Sequence, residues 1–594
     1  MLNDTPHPDD LPEAPSAYAA LPPDYPHAPS GAGAGAGAGQ AGSSGGSSVG
    51  GAGGPGRSPR LLVAAGVAFV LVVAVALAVW KGGGAEPAAG STALPSATGS
   101  SSPTGPTSPN PSTPAPSPAA PSGVPAGLVG FYTQRLDWSP CSDNAKHRCA
   151  TMDVPVDYAN PSGDRFTLAL RKAPATDPAK RLGSLVINPG GPGGSGVEYA
   201  QYASFVFSPA VRAAYDVVGF DPRGIGASSP VRCLTDGDMD RLFSSDPTPD
   251  SAAERSKLLA EADDITARCA ARGGDRARHL STTEVARDMD VMRALLGDER
   301  LNFFGGSYGT FLGAIYADTF PTKLGRMVLD SAMSPNQTDE QEMSYDIQGF
   351  ESSIDAFIDW CVPRSDCALG SDKAGARQRI VQLLDDVERD GLTTTTPGLT
   401  RIGEGWVGFS IFMCLYSDTS WPTLNQGLKE AFAGRGDILL EKGMSVVERD
   451  GSGAYAPTTY LQAMIPVRCA DWPRSANDPA LAAAQAKAKR EHPLWARMTG
   501  ELYDNCRTWP TAGRTPKGST LAVGAAPILV IGNERDPATP IGGTKQLAED
   551  LDSGILLTSD HDGHGTYYAG NSCVDSAVDG YLLRGTPPAD GTTC

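Results

Sequence analysis

The sequence predicts an α/β fold with a mostly parallel central sheet, and three observations support this. After residue 126, short apolar runs rich in β-branched residues alternate with stretches of helical periodicity, which is typical of parallel strands covered by helices. A Gly-x-Ser-x-Gly pattern at 305–309 falls between one such run and a helical stretch. A long segment without a clear sheet pattern, 335–520, separates the last two runs from the others, which predicts a helical cap inserted into the core.

The chain before this core has three parts. Residues 1–59 are rich in Pro, Gly, Ala and Ser, and they are predicted to be a disordered tail because they carry too few apolar side chains to offset the entropy of ordering. Residues 60–81 contain an unbroken apolar run of the length that crosses a bilayer, which favours a transmembrane signal-anchor over a cleaved signal peptide. Residues 82–126 are predicted to be a Pro/Ser/Thr-rich spacer.

The charges around the apolar run indicate its orientation. Arg57 and Arg60 precede the run and Lys81 follows it, a bias that favours an N-terminus inside the cell. We therefore expect the chain to contact the membrane through this single-pass anchor, with the folded part outside the cell. Cleavage of the anchor would make the folded part a secreted protein.

The cysteines agree with export, because all 11 lie at or after Cys141 and disulfides persist in oxidising compartments. Three pairs are close in sequence, Cys141 with Cys149, Cys361 with Cys367 and Cys573 with Cys594, and two wider pairs are also expected, Cys233 with Cys269 and Cys469 with Cys506. Cys414 is left over as a buried free thiol.

Composition also bears on cofactors and partners. The formal net charge is -19, which argues against nucleic acid because nucleic-acid binders carry basic patches. Zinc binding is the alternative interpretation of the cysteines. The chain has no Cys-x-x-Cys and only 7 histidines, so we expect neither a metal site nor a cofactor.

The core is expected in two parts, 127–334 and 521–594. Predicted strands begin near residues 166, 184, 215, 301, 326, 527 and 554. The helix before the strand at 301 opens with Ser281 and Glu284, which have the spacing of a capping box, and Gly297 ends it.

Ser307 lies in the stretch "FFGGSYGT" between a predicted strand and a predicted helix. That context fits a nucleophile elbow, in which a strained turn exposes the serine and small residues two positions away allow the strand and helix to approach. An ordinary strand-to-helix turn is the alternative. The pattern alone carries little weight, since "GSSGG" and "GSSVG" in the tail match it as well.

A serine nucleophile needs a base and a third group that orients the base, here expected in the chain order serine, acid, histidine. Asp536 ends the stretch "PILVIGNERD", just beyond the carboxyl end of the predicted strand, and His564 follows the strand "GILLTSD". Glu534 and Asp330 are alternative acids, since each lies at or beyond the end of a strand, and His561 is the alternative base. We prefer Asp536 and His564.

A loop of donors for the charged oxygen is expected after the strand "SLVI". The stretch "NPGGPGGSG", 188–196, allows backbone N–H groups to approach a substrate, and we expect Gly191 and Tyr308 to supply these donors. A phosphate-binding loop is the competing interpretation, but the stretch lacks both a Gly-Lys-Ser/Thr ending and a Gly-x-Gly-x-x-Gly pattern.

Several motifs in this order resemble one family. They are "NPGGPGGSG", "VVGFDPRGIGAS", "FFGGSYGTFLGAIYADTFP", "RMVLDSAMSP", "IPVRCADWP" and the closing "GYLLRGTPPADGTTC". Together they are similar to the secreted actinobacterial tripeptidyl aminopeptidases, α/β-hydrolases related to proline iminopeptidases, over nearly everything from 137 to 594. The resemblance implies a triad of Ser307, Asp536 and His564 and a serine exopeptidase acting on peptides with free N-termini. Two features depart from the pattern of this family. One is the predicted anchor, and the other is Pro189, which stands where proline iminopeptidases have a histidine.

Two other functions remain open at this point. The same triad serves esterases and other acyl hydrolases, because the fold does not fix the substrate. A catalytically inactive binding domain is the non-enzyme alternative. The resemblance further suggests cap carboxylates for the substrate ammonium, and the sequence offers four without choosing among them: Glu342, Asp346, Glu351 and Asp355.

Overall fold

The structure is a computed structural model that describes residues 122–456, 460–472, 479–499, 506, 509 and 520–594. The predicted tail and anchor, and all but the last residues of the spacer, lie outside these ranges. Within the described ranges, no helix combines the length and the apolar character needed to cross a membrane.

In the part of the chain that the structure describes, ten strands form one central sheet and two more form a small hairpin. The strands are β1 (Ser139–Pro140), β2 (Arg148–Pro155), β3 (Arg165–Ala173), β4 (Gly183–Asn188), β5 (Tyr215–Phe220), β6 (Leu301–Gly306), β7 (Leu324–Asp330), β8 (Leu392–Thr393), β9 (Arg401–Ile402), β10 (Ile528–Arg535), β11 (Gly554–Asp562) and β12 (Thr592–Thr593). The sheet order is β1-β2-β3-β5-β4-β6-β7-β10-β11-β12, with β8 and β9 paired separately. All pairs from β5 to β12 are parallel, whereas β1, β2 and β3 form an antiparallel edge. The mostly parallel sheet is confirmed.

Both faces of the sheet are buried, as parallel strands require. In β4, Leu185 and Ile187 pack into one apolar cluster while Val186 packs into the other. Phe303 and Phe304 in β6 divide between the two clusters in the same way. This period of two explains why the strands appear in the sequence as continuous apolar runs.

Eighteen α-helices cover the sheet and form the insertion. They are α1 (Val129–Tyr132), α2 (Gly196–Gln201), α3 (Ala203–Val206), α4 (Pro209–Ala214), α5 (Asp236–Ser244), α6 (Ala252–Ala277, broken at Gly274), α7 (Thr282–Leu295), α8 (Tyr308–Thr319), α9 (Asp339–Cys361), α10 (Lys373–Asp390), α11 (Glu404–Leu415), α12 (Trp421–Ala431), α13 (Asp437–Val446), α14 (Tyr460–Asp471), α15 (Pro479–Glu491), α16 (Pro493–Thr499), α17 (Ile541–Asp550) and α18 (Ser572–Arg584). This count covers only the ranges that the structure describes.

Helix α7 begins where the sequence predicts, but its N-terminus is built differently. Ser281 is the N-cap residue, yet its side chain makes no capping hydrogen bond. The Glu284 carboxylate instead lies 2.9 Å from Nδ1 of His279. The predicted capping box is therefore wrong: the Ser281 hydroxyl lies 3.5 Å from the Glu284 carboxylate instead of accepting from the Glu284 N–H.

The insertion lies between β7 and β10, and its described part consists of helices α9 to α16 and the β8–β9 hairpin. We call this segment the cap. Helix α9 packs against the loop after β10: a Cβ on Gly349 would lie 2.5 Å from the carbonyl oxygen of Asp536, and the Ser353 hydroxyl donates to the Arg535 carbonyl at 3.1 Å. The cap thus touches the loop that follows the strand bearing one of the predicted site residues.

All five predicted cysteine pairs are disulfides in the structure. They are Cys141–Cys149, Cys233–Cys269, Cys361–Cys367, Cys469–Cys506 and Cys573–Cys594. Cys414 is a buried free thiol, as the sequence predicts.

Candidate active site

Ser307 occupies a strained turn between β6 and α8. Its backbone has φ 55° and ψ −128°, in a region that L-residues rarely adopt and that costs about 1–3 kcal/mol. Two backbone contacts hold it there: its N–H donates to the Asp330 carbonyl at 2.9 Å, and its own carbonyl accepts from the Thr310 N–H at 2.8 Å. This is the backbone geometry of a nucleophile elbow.

The glycines two residues before and after Ser307 are required by close approach. A Cβ on Gly305 would lie 2.3 Å from the carbonyl oxygen of Gly309, and a Cβ on Gly309 would lie 2.6 Å from that of Asn188. The strand, the helix and the end of β4 therefore meet at distances that only glycine permits.

Asp536 and His564 lie in contact beyond the ends of neighbouring strands. The imidazole Nδ1 is 2.9 and 3.0 Å from the two carboxylate oxygens, and the two residues are 0% and 4% exposed. A proton on Nδ1 is donated to the carboxylate, which makes Nε2 the nitrogen that can act as a base. The preferred acid and the preferred histidine are thus brought together.

Three further donors fix the Asp536 carboxylate. The N–H groups of Ala538 and Thr539 donate to Oδ1, both at 2.9 Å, and the Thr539 hydroxyl donates to Oδ2 at 3.0 Å. The same hydroxyl lies 3.2 Å from Nδ1 of His564. The carboxylate is held in one orientation, which orients the imidazole in turn.

The alternative residues have other positions. Glu534 pairs with Lys545 at 3.2 Å, and His561 lies half-buried within β11 rather than in the loop after it. Asp330 is fully buried, and its carboxylate accepts from the N–H groups of Thr566 and Tyr567, each at 3.0 Å.

Asp330 therefore links two parts of the site. Its carbonyl receives the Ser307 N–H, and its side chain anchors the two residues that follow Gly565 in the histidine loop. Burial raises the pKa of Asp330 to about 6, while the two amides and the nearby His564 oppose that rise. The sequence identifies Asp330 as a candidate acid, and the structure gives it an anchoring contact.

A second buried side chain shapes the histidine loop. Asn533 in β10 is 0% exposed, and its Nδ2 donates to the carbonyls of Gly563 and Gly565 at 3.0 and 2.8 Å. The Gly565 N–H donates to the Ser331 hydroxyl at 2.8 Å. The sequence does not predict these anchors. A polar residue inside the apolar run "PILVIGN" was the available signal for Asn533.

The glycine loop after β4 lies against the nucleophile turn. Gly190 has φ +98°, and a Cβ on it would lie 2.6 Å from the Gly306 carbonyl oxygen and 2.9 Å from the Tyr308 nitrogen. The Asn188 side chain accepts from the Gly190 N–H at 2.9 Å. Tyr308 is the first residue of α8, where an N–H has no partner within the helix.

Gly191, the next residue of the loop, has φ +115°. Because Gly190 contacts the Tyr308 backbone, the two predicted donors lie on adjacent segments. The end of the loop is fixed by Asp221, which is 2% exposed and accepts from the Ser195 hydroxyl at 2.6 Å and the Val197 N–H at 3.1 Å. Burial raises the pKa of Asp221, while these donors oppose that rise. The sequence does not predict this role for Asp221; its position directly after a buried strand is the available signal.

Arginine side chains pair with Glu342, Glu351 and Asp355, which are acidic cap residues suggested by the resemblance. Arg377 binds Glu351, and it also lies 2.7 Å from Asp355. Arg468 lies 3.0 Å from Glu342. These pairings make the three carboxylates less available to a substrate ammonium.

Two groups of side chains within the described ranges carry possible metal-ligand atoms within 4.8 Å of one another: Asp157, His279 and Glu284, and Asp246, Glu388 and Glu404. Each group contains an arginine contact, from Arg223 to Glu284 at 3.6 Å and from Arg497 to Glu404 at 3.7 Å. The arginines supply positive charge to carboxylates that would otherwise be uncompensated.

The sheet order and the strained serine turn define the class as an α/β-hydrolase. A family model described as TAP-like protein matches residues 492–594. Serine protease Hip1 of Mycobacterium tuberculosis is 34% identical over 479 residues, covering 78% of this chain and 91% of that protein. The tripeptidyl aminopeptidase of Streptomyces lividans is 30% identical over 482 residues, covering 77% and 86%. Carboxylesterase B of Mycobacterium tuberculosis is 33% identical over 474 residues, covering 77% and 89%.

The chain belongs to the TAP-like family of α/β-hydrolases that these relatives represent. It is a serine hydrolase, and the family resemblance read from its motifs is confirmed.

Proposed function

We propose that the protein is an extracellular serine exopeptidase that cleaves peptides from free N-termini through an acyl-enzyme on Ser307. The contact between His564 Nδ1 and Asp536 carries this proposal, because it makes Nε2 the nitrogen that can act as a base. Membership of a family that contains a tripeptidyl aminopeptidase supports the choice of peptide substrates.

In the proposed mechanism, Ser307 Oγ attacks the scissile carbonyl and His564 Nε2 takes its proton. The negative oxygen of the tetrahedral intermediate receives hydrogen bonds from the N–H groups of Gly191 and Tyr308. His564 then gives the proton to the leaving amine, and Asp536 stabilises the imidazolium throughout. Water, deprotonated by the same imidazole, releases the N-terminal peptide from Ser307.

The proposed location is the outer face of the cell membrane, with residues 60–81 as the anchor. Five disulfides in the folded part support this location, because such bonds persist in oxidising compartments. Fractionation of cells expressing the full chain tests it. We expect the protein in the membrane fraction and its folded part open to added protease on intact cells, and a protein protected from that protease would contradict the proposal.

Ester hydrolysis is the second candidate function, and the identity to carboxylesterase B favours it. The two candidates differ in the leaving group and in the need for a free amine. A peptidase specific for N-termini should turn over a chromogenic tripeptide with a free amine and lose that activity when the amine is acetylated.

The deciding experiment compares free and N-acetylated mono-, di- and tripeptide reporters with short acyl esters. Ser307→Ala is the control, and we expect it to lower kcat by about four orders of magnitude or more while the fold persists. Strong ester turnover without peptide cleavage would reject the exopeptidase in favour of the esterase. Unchanged turnover by Ser307→Ala would reject both.

A further inference from the structure

The cap makes direct contact with the loop that carries His564. The contact comes from Tyr416, which directly follows helix α11. Its carbonyl accepts from the His564 N–H at 2.8 Å, and a Cβ on Gly563 would lie 2.6 Å from that carbonyl oxygen. Ser417, the next residue, forms an antiparallel bridge with Gly563. The two segments approach as closely as two strands of a sheet.

The hydrogen bond from the His564 N–H goes to the cap, whereas the next N–H groups of the histidine loop bond to the core. Of the four consecutive N–H groups at 564–567, the last three donate to side chains at the end of β7: Gly565 to Ser331, and Thr566 and Tyr567 to Asp330. The His564 N–H donates to the cap. The core therefore fixes the loop beyond the histidine, and the cap fixes the histidine backbone itself.

The Tyr416 side chain also contacts the imidazole. The two ring centroids are 5.1 Å apart and the ring planes are inclined by 65°, an edge-to-face arrangement that is favourable for aromatic pairs. Asp536 holds Nδ1 of the same ring. Rotation of the imidazole is therefore restricted by two contacts: the Asp536 carboxylate at Nδ1 and the Tyr416 ring packed against the imidazole.

Tyr416 is itself supported from within the cap. Phe412, one turn earlier in α11, packs edge-to-face against it with ring centroids 5.5 Å apart. Most of α11 is buried, including Trp406, Val407 and Ile411. The position of the tyrosine ring is therefore set by the packing of a cap helix.

We propose that Tyr416 is a positioning residue that holds His564 in its catalytic orientation and so couples seating of the cap to catalysis. This inference rests on the proposed role of His564 as the base. A displacement of about 1 Å in a catalytic group can lower a rate about 100-fold. Because the hydrogen bond and the ring contact both come from Tyr416, a displacement of the cap relative to the core would remove them together.

The test compares three variants by steady-state kinetics with the reporter that the wild type cleaves best. Tyr416→Leu removes the aromatic ring, and Tyr416→Phe keeps it. Tyr455→Leu removes another buried cap tyrosine, whose hydroxyl donates a hydrogen bond to Asp240. Tyr416→Leu should lower kcat about 10- to 100-fold with KM within about twofold of the wild type. Tyr416→Phe should recover nearly all of the lost kcat.

The control separates positioning from general loosening of the cap. Tyr455→Leu should lower the melting temperature at least as much as Tyr416→Leu but leave kcat within about threefold of the wild type. Equal kcat losses in Tyr416→Leu and Tyr455→Leu would overturn the proposal, as would a loss confined to KM, or a Tyr416→Phe variant as impaired as Tyr416→Leu. If Tyr416→Leu does not fold, Tyr416→Met, which is closer in length, takes its place in the same comparison.

The rate at which a fluorophosphonate labels Ser307 tests the role of Tyr416 independently of the substrate that the enzyme cleaves. Labelling needs the activated serine but neither a free amine nor a peptide bond. A wild type that labels readily while cleaving no peptide would reject the exopeptidase, and Tyr416 would still be judged by the labelling rates. An unchanged labelling rate in Tyr416→Leu would overturn the role of Tyr416 alone.

Discussion

At the scale of single residues, the site depends on Asp330 as much as on the residues proposed to react. Its carbonyl holds the strained Ser307 backbone, and its carboxylate holds Thr566 and Tyr567. One residue at the end of a central strand thus sets the relative position of the serine turn and the histidine loop. The cost is a buried charge, seen in its raised pKa of about 6.

The raised pKa of Asp330 predicts how the stability of the wild type, compared with that of an Asp330→Asn variant, changes with pH. Burial raises the pKa of Asp330 from 3.8 to about 6, which corresponds to roughly 3 kcal/mol between its protonation states. The folded protein therefore binds more protons than the unfolded chain in this window, so the stability contribution is complete below about pH 4 and is lost as pH rises through about 6. The amide that replaces the carboxyl in the variant does not titrate.

Urea denaturation at about pH 4.5 and about pH 7.5 measures this effect. We expect the wild type to lose stability relative to Asp330→Asn between the two pH values, by about 2 kcal/mol, because pH 4.5 already lies above the unfolded-state pKa of 3.8. A difference between the two proteins that does not change with pH would show that Asp330 is not the titrating group.

The sequence predicts some of these residues and not others for a physical reason. Ser307, Asp536 and His564 follow a chain order imposed by the sheet topology, so a linear pattern is enough to select them. The partners of Asp330, Asn533 and Thr539 are set by which loops meet in space. A sequence shows that such a residue is polar beside a strand, and only the fold shows what it binds.

At the scale of elements, the glycine loop after β4 is shaped by the elements that it touches. Gly190 has a positive φ and lies between Gly306 and Tyr308, with no space for a Cβ. Glycine repetition in the sequence predicts the loop. The sequence does not show which of these glycines cannot be substituted, because that depends on contacts with a segment more than a hundred residues later in the chain.

Gly190→Ala should therefore damage the serine turn and the donor loop together. The added Cβ would lie 2.6 Å from the Gly306 carbonyl oxygen, so one segment must move. We expect kcat to fall about 100-fold or more, because displaced oxyanion donors cost two to three orders of magnitude. Gly237→Ala in α5 is the matched control, since its Cβ would meet no atom within 4 Å. Near wild-type kcat in Gly190→Ala would refute this account of the loop.

At the scale of the whole molecule, covalent links and cap contacts hold a core assembled from distant parts of the chain. Cys573–Cys594 joins the start of α18 to the last residue, next to β12 at the sheet edge. The cap reaches the site through Tyr416 at the histidine and through α9 at the loop of Asp536. The sequence predicts both the insertion and the disulfides, but not where the cap makes contact.

Removing the terminal disulfide with Cys573→Ser/Cys594→Ser should destabilise the protein without changing its chemistry. The bond closes a loop with a sequence separation of 21, and loops of this size contribute about 3 kcal/mol. We expect the free energy of unfolding in urea to fall by about that amount, with kcat at about 25 °C within about twofold of the wild type. An unchanged unfolding free energy would contradict the expected role of this link.

Covalent labelling tests whether Ser307 is a nucleophile that His564 activates. The purified protein is treated with a fluorophosphonate, and the adduct is located by peptide mass spectrometry while its rate of formation is followed. We predict a single adduct on Ser307, none in Ser307→Ala, and labelling slowed about 100-fold or more in His564→Ala. An adduct on another residue, or a labelling rate that does not depend on His564, would contradict it.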